Sequence, residues 1–269
     1  MPITVLNRMR GGESRAFDAD VLSWRDAVVA NGGSVSLGRL IVVDQFVFSE
    51  KAAGLWTLTD DYWGLWAENA AQALTSLKQR RLGTAVNSPI FTPGRGYAGD
   101  GSTSYIDTGF NPSLHAVAMT PDSVRLVAYE RTYVGGSGCT AGVNSSLNRA
   151  LNIRSSGASM AANGAAATFS VSLPGVGMIT SSRRGPLVSD QVGFKNATSQ
   201  VRSVDALAVG TSLPVLPLFV HAVNNSGSPA LFRATQVGFL AAGAALSDAQ
   251  ELAQYSNVQT WASSVGAQV

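Results

Sequence analysis

At 269 residues, 45% of them hydrophobic, the chain has the length and the apolar content for one large domain with an ordinary core. Only 13% of residues are charged, against roughly 25% in average soluble proteins. The net charge is +2, and no basic run exceeds the pairs Arg80-Arg81 and Arg183-Arg184, so a nucleic-acid or acidic-membrane partner has no support.

Residues 1–16 read as an extended arm. Ile3, Val5 and Leu6 are followed by Arg8 and Arg10 and then by Gly11-Gly12, a joint that lets a short strand dock on a neighbour's sheet edge while the arginines meet carboxylates. Residues 17–93 read as a helical region. Asp18 or Asp20 caps a first helix with Val21, Trp24 and Val28 on one face, closed by Asn31-Gly32-Gly33. Ser34 or Ser36 opens a second, carrying Leu37, Leu40, Ile41, Asp44 and Val47 or Phe48, to about Gly54. The runs Val42-Val43 and Phe46-Val47-Phe48 also suit a strand, but about 18 residues without a turn signal favour a helix. A third helix is expected over 67–77 with Ala70, Leu74 and Leu77 inward, and Trp56, Trp63 and Trp66 read as the core of a helical layer.

From Pro93 the texture changes to short β-rich runs punctuated by Gly, Asn, Ser and Pro: 104–108, 123–133, 150–154, 168–173, 178–183, 191–195, 216–223 and 231–240. Their spacing predicts a β-sandwich or jelly roll over 94–246. Val124, Leu126 and Ala128 alternate with Ser123, Arg125 and Val127 as in a half-buried strand. Ser247 and Gln250 form a capping-box pair that opens a closing helix over 247–269. Its packed face is expected to carry Leu252, Tyr255, Val258 or Gln259, and Ala262, with Trp261 in the seam. The predicted class is therefore mainly β, a sandwich with an N-terminal helical layer and a C-terminal helix.

Two stretches, from Gly96-Tyr97-Ala98-Gly99-Asp100-Gly101 through Gly109-Phe110-Asn111-Pro112 and the closing segment 237–269, carry a specific likeness. With Leu55-Trp56, Ala67-Glu68-Asn69-Ala70-Ala71-Gln72-Ala73-Leu74 and Thr84-Ala85-Val86-Asn87-Ser88-Pro89, they resemble a family of bacteriophage virion proteins built on a concanavalin A-like (laminin G-like) jelly roll. The resemblance implies a tail, fibre or head-surface component of a tailed phage, made in the host cytoplasm and carried on the virion. Its partners would be capsid or tail subunits and further copies of itself, and it implies no cofactor. The arm 1–16 departs from the family pattern.

The low charge leaves a surface of Ser, Thr, Asn, Gln, Ala and Gly that resists association poorly, which suits an assembly subunit and equally a compositionally biased monomer. Lys51, Lys78 and Lys195 are the only lysines among 19 basic residues; arginine suits interfaces, and a GC-rich genome gives the same bias. Cys139 is the single cysteine, so neither an intrachain disulfide nor a cysteine zinc cluster is possible within the sequence. No stretch has signal-peptide character or the ~18 apolar residues of a membrane span, and the expectation is neither export by the usual route nor membrane insertion.

A glucanase on such a sandwich needs two carboxylates flanking the scissile bond. Between Asp100 and Leu246 the acids are Asp100, Asp107, Asp122, Glu130, Asp190 and Asp205, and no two cluster in sequence. The expectation is a non-catalytic protein, with a polysaccharide hydrolase using acids that converge only in space as the alternative. His221, amid Phe219, Val220, Ala222 and Val223, reads as a strand residue satisfied by a neighbour, and neither it nor His115 belongs to a nucleophile motif. Gly94, Gly96, Gly99 and Gly101 read as turn glycines because no helix and no Lys-Ser/Thr follow, and Asp100 and Asp107 suit turn capping better than calcium. Glycan binding is the positive expectation: Tyr97, Tyr105, Tyr129 and Tyr133 supply ring faces, and Asp107, Asn144 and Asn148 supply hydroxyl partners. Each aromatic taken singly also suits strand core.

Overall fold

A computed structural model describes residues 8–10, 13–136, 138–146, 149–154, 159–169, 175–204 and 208–269. A hairpin of β1 (Arg8–Arg10) and β2 (Glu13–Arg15) precedes helices α1 (Ala19–Ala30) and α2 (Leu37–Ala52). Next come β3 (Thr59–Trp63), the short α3 (Ala70–Leu74), β4 (Thr84–Val86), β5 (Ile90–Thr92), β6 (Gly96–Ala98) and β7 (Tyr105–Asp107). The single turn α4 (Pro112–His115) leads to β8 (Val124–Glu130), β9 (Ala141–Asn144), β10 (Ala150–Arg154), β11 (Ser159–Gly164) and β12 (Ala167–Phe169). They are followed by β13 (Gly177–Arg183), β14 (Gln191–Lys195), β15 (Thr198–Ser199) and β16 (Arg202–Val204). The chain closes with β17 (Phe219–Val220), β18 (Val223–Asn225), β19 (Ser228–Ala230), β20 (Gln236–Gly243) and α5 (Asp248–Ser264).

Among the described residues the strands form two large sheets. One, of ten strands, runs β16-β12-β11-β10-β9-β17-β7-β4, with β18 added beside β9 and β19 beside β18; the other, of eight, runs β15-β14-β13-β8-β20-β6-β5, with β3 on β20. Pairing is antiparallel throughout except that β18 lies parallel to β9. The molecule is a mainly β sandwich, as its sequence spacing predicts.

The alternation of β8 explains how three layers stack. Val124, Leu126 and Ala128 enter the core between the sheets, where they meet Val143, Leu151, Ile153 and Met160 of the facing sheet. Val127 and Tyr129 point the other way, into a second core with Val21, Trp24 and Val28 of α1, Val43, Phe46 and Val47 of α2, and Val258, Trp261 and Ala262 of α5. Every residue of β8 is therefore buried, Arg125 included, and the half-buried expectation fails because helices cover the strand's second face.

The expected helical stretch 17–93 is helical only in part. Asp18 and Ser36 are the N-caps of α1 and α2, and α1 buries the predicted Val21, Trp24 and Val28. Leu37 and Phe48 of α2 are exposed, and its buried stripe is Leu40, Val43, Asp44, Phe46, Val47 and Glu50. Beyond it, β3 pairs with β20, β4 with β7 and β5 with β6, so the sandwich begins well before residue 94. β3 was concealed by its two acids. Asp60 is buried because it accepts from the backbone N–H groups of Val117, Ala118 and Met119 at 2.7–3.0 Å, and Asp61 because it accepts from Tyr62, Lys78 and Gln79 at 2.9–3.2 Å. With these satisfied, Trp63 drops into the inter-sheet core while Tyr62 joins the helix-side core. The tryptophans thus serve both cores, with Trp56 and Trp66 on the helical side. The third helix spans Ala70–Leu74 only, five residues.

The closing helix opens as predicted, with Ser247 and Gln250 capping each other reciprocally. Its buried face is Glu251, Gln254, Val258, Trp261 and Ala262, whereas Leu252 is 59% exposed. The stripe is turned by one position because Gln254 and Glu251 reach a buried arginine and Trp261 fills a slot over Gly64, where a Cβ would lie 2.4 Å from its ring.

Two buried titratable groups tie stability to pH in opposite senses. Burial lifts the Asp61 carboxyl to about 6, so its stabilisation is complete below about pH 4 and is lost as pH rises through 6. Burial drives His221 down to about 3, so its stabilisation is complete above about pH 6.5 and is lost progressively below that value. The two largely cancel between pH 6 and 4, each changing by about 3 kcal/mol. Asp61→Asn should lose ground to the wild type as pH falls from 7 to 4, and His221→Asn, which tolerates the local φ of 67°, should gain it. Chemical denaturation at several pH values checks both; parallel curves for all three proteins would contradict the assignment.

Candidate functional site

The outer face of the ten-stranded sheet, turned away from both cores, holds a concave site. β9 and β10 pair with Gly142 opposite Asn152 and Asn144 opposite Ala150, while β18 sets Val223 beside Gly142 and Asn225 beside Asn144. Because alternate side chains leave opposite faces of a strand, Val143, Leu151 and Ile153 enter the core, and Asn144, Asn152 and Arg154 project outward. They line a cavity of ≈ 370 Å³ with Asn225 and with Val223, Ala230 and Leu231 as its apolar wall.

Gly142 sits opposite Asn152 in the register of β9 and β10. A Cβ there would lie 2.5 Å from the Asn152 Cβ and 3.0 Å from the Cys139 Sγ, so any side chain displaces the amide above it. Cys139 is buried beneath, its thiol donating to the Ala141 and Ile153 carbonyls, and burial pushes its pKa up to about 12. That thiol is inert at neutral pH. The Asn144 amide donates to Asn225 Oδ1 at 3.0 Å. Asn144 Oδ1 and Asn152 Oδ1 are buried without a hydrogen-bond partner among the described residues, and Asn152 is only 8% exposed. Buried acceptors of this kind are costly unless a donor reaches them.

A second cavity of ≈ 300 Å³ lies beyond Leu231, walled by Gly101, Val134–Gly136, Gly138 and Phe232–Ala234. Arg233 at its back is 3% exposed and stands 3.5 Å from Glu130 Oε2, while Glu130 Oε1 accepts from the Thr140 hydroxyl. Glu130 is thereby committed to a buried ion pair. None of the described residues lining either cavity is an acid or a histidine. Among the described residues, no group of three or more His, Cys, Asp or Glu is placed to hold a metal ion, and no helix is long and apolar enough to cross a membrane.

The residues predicted for a glycan site are dispersed. Asn144 lines the first cavity. Tyr133 is 42% exposed beside the second, with the Arg233 guanidinium 5.9 Å from its ring centre. Tyr105 is half-buried against Phe219 at 4.5 Å, and behind Phe232 at 6.4 Å. Tyr97 is a core residue packed on Phe91, and Tyr129 lies in the helix-side core with its hydroxyl on the Val269 backbone, so neither can face a ligand. Their strands lie inside the eight-stranded sheet, both of whose faces are covered. Asp107 spends Oδ1 on the Gly109 N–H, and Asn148 is outside the described residues. Asn152, Arg154 and Asn225 were missed. The alternation Ala150-Leu151-Asn152-Ile153-Arg154 is the signal that would have found the first two, since it separates an apolar face from a polar one.

The other motifs resolve simply. Asp100 accepts from the N–H groups of Ser102, Thr103 and Ser104, which holds its carboxyl well below the usual range and caps its turn. Gly94 and Gly101 are turn glycines at positive φ, but Gly96 and Gly99 permit close approach, since a Cβ would meet the Val237 and Arg233 carbonyls at 2.1 and 2.3 Å. His221 is no ordinary strand residue: it follows β17 at positive φ with its ring fully buried. Within the expected arm, the backbone of Arg8–Arg10 pairs antiparallel with Glu13–Arg15, Arg10 opposite Glu13 and Arg8 opposite Arg15. Ile3, Val5 and Leu6 lie outside the described residues.

No family model and no curated protein matches the chain. Solved structures do. A mutant of Trypanosoma rangeli sialidase displaying trans-sialidase activity aligns with a TM-score of 0.46 and 12% identity over 84% of this chain and 40% of that one. Domain 4 of AbnA, a GH43 extracellular arabinanase from Geobacillus stearothermophilus, in complex with arabinotriose, gives 0.43 and 13% over 73% and 97%. The Ruminococcus gnavus IT-sialidase CBM40 gives 0.38 and 11% over 64% and 97%. The chain spans about 40% of the length of the sialidase it matches.

Proposed function

We propose that the protein binds a glycan on the outer face of its ten-stranded sheet without cleaving it, and that it does so from the surface of a tailed-phage particle. The binding half of the reading rests on one observation: a cavity lined by Asn144 and Asn152, whose buried amide oxygens have no hydrogen-bond donor among the described residues. Sugar hydroxyls are donors of the right kind, Asn225 and Arg154 add polar partners, and Val223, Ala230 and Leu231 offer apolar surface to a ring. A cavity lined by amides, a guanidinium and small apolar side chains supports binding and supplies no carboxylate pair for glycoside hydrolysis. The particle half rests on the sequence resemblance and on the charge-poor surface, with the hairpin and the residues before it as the attachment segment.

Screening on a glycan microarray, followed by incubation with host surface polysaccharide, tests the reading. Binding without release of reducing ends is expected, and Asn152→Ala should weaken it about threefold to tenfold, the worth of one or two neutral hydrogen bonds. Steady turnover abolished by changing Glu130 or Asp107 would replace this reading with the hydrolase one.

A further inference from the structure

We infer that the two cavities act as one groove, so that the ligand is a glycan chain of at least two rings lying across Leu231; this deepens the reading above and rests on it. The segment 230–234 passes directly from one cavity to the other, and Leu231 borders both. Leu231 is 41% exposed and held at φ 53°, a left-handed conformation that non-glycine residues rarely adopt, while its carbonyl is tied down by the Cys139 N–H at 2.6 Å. An exposed apolar side chain fixed in a strained conformation at the junction of the two hollows is an odd arrangement for solvent and a suitable one for the apolar face of a sugar ring.

The hollows differ in a way that suits successive rings. The first offers the amides of Asn144 and Asn152, while beside the second, next to its lining residue Val134, stands the exposed ring of Tyr133, with the buried Arg233 guanidinium 5.9 Å from the ring centre. Amide partners for hydroxyls and an aromatic face for the ring are the two halves of a sugar site, and here they stand on opposite sides of Leu231. At ≈ 370 and ≈ 300 Å³ each hollow lies near the lower end of small-molecule sites, about 300–1,000 Å³, so a longer chain would need both. A chain that fills both gains the second contact as an intramolecular event.

The test is a microarray bearing each glycan from a single ring to a hexamer, followed by calorimetric titration with the tightest-binding spot compound. Expected are silent single-ring spots, signal from dimers upward, and one equivalent of chain per protein. Asn152→Ala and Tyr133→Ala, at opposite ends, should each weaken the same compound about fivefold, while unchanged melting curves show the fold intact. Single rings binding as well as longer chains, two equivalents per protein, or no effect of Tyr133→Ala would overturn the single groove and leave the one-cavity reading standing. An array silent at every length would overturn both.

Discussion

Trp261→Ala is expected to destabilise the protein by about 3–5 kcal/mol, a large share of the 5–15 kcal/mol that holds an ordinary domain together. The indole is 4% exposed and packs at ring-centroid distances of 4.6 Å from Phe46, 5.7 Å from Trp66 and 6.0 Å from Phe239. Removing it empties a slot bounded by α2, by β20 and by the Gly64 backbone, none of which is free to close inward. Leu252→Ala, on the exposed side of the same helix, should change stability by no more than about 0.5 kcal/mol. Urea denaturation of the two variants side by side is the check. Equal effects would return the helix face to Leu252 and contradict the packing described here.

Arg125→Met is expected to cost about 3–5 kcal/mol, by a different mechanism. Arg125 is fully buried between the eight-stranded sheet and the helices, donating to Thr59 Oγ1 at 3.0 Å and to Gln254 Oε1, with Glu251 Oε2 at 3.8 Å. Gln254 continues the network to Glu50, which also accepts from the Tyr62 hydroxyl at 2.8 Å and the Asn257 amide at 2.8 Å. Burial pushes the carboxyls of both Glu50 and Glu251 up, and the Arg125 guanidinium opposes that for both, so deleting it removes a charge that favours their ionised forms. The double variant Arg125→Met/Glu251→Leu should recover about 2 kcal/mol, because the uncompensated charge leaves with its partner. Strictly additive losses in the double variant would show that the pair is not coupled.

These two residues also show what could be read without coordinates. Caps, turn glycines and hydrophobic spacing located α1, α2, α5 and the strands β8, β10, β13, β14, β17 and β20, because those signals are local, whereas β9, β11, β15, β16 and β19 lie outside the expected runs. The face of α5 was misjudged because Glu251 and Gln254 look like solvent residues until Arg125, more than 120 positions earlier, is set against them. β3 was hidden for the same reason: Asp60 and Asp61 are buried by backbone donors from distant loops. Of the candidate site, Asn144 was legible only as an amide of the β-rich region, because no strand was expected over 141–144, and Tyr133 as the ring that ends the expected run 123–133. Tyr97 and Tyr129 were not distinguishable from surface aromatics, since Tyr97 is buried by the facing sheet and Tyr129 by helices that come from both ends of the chain.

The central claim, that the outer face of the ten-stranded sheet takes a glycan at the amide oxygens of Asn144 and Asn152, is tested most directly at those amides. Two-dimensional ¹H–¹⁵N spectra resolve the side-chain NH₂ groups of Asn144, Asn152 and Asn225 during titration with the tightest-binding array oligosaccharide. All three should shift together and saturably, and Gly142→Val, which forces Asn152 out of place, should abolish the response while leaving the helix-side core resonances unmoved. Shifts confined to the helical layer, or saturable binding that leaves the three amides untouched, would contradict the account.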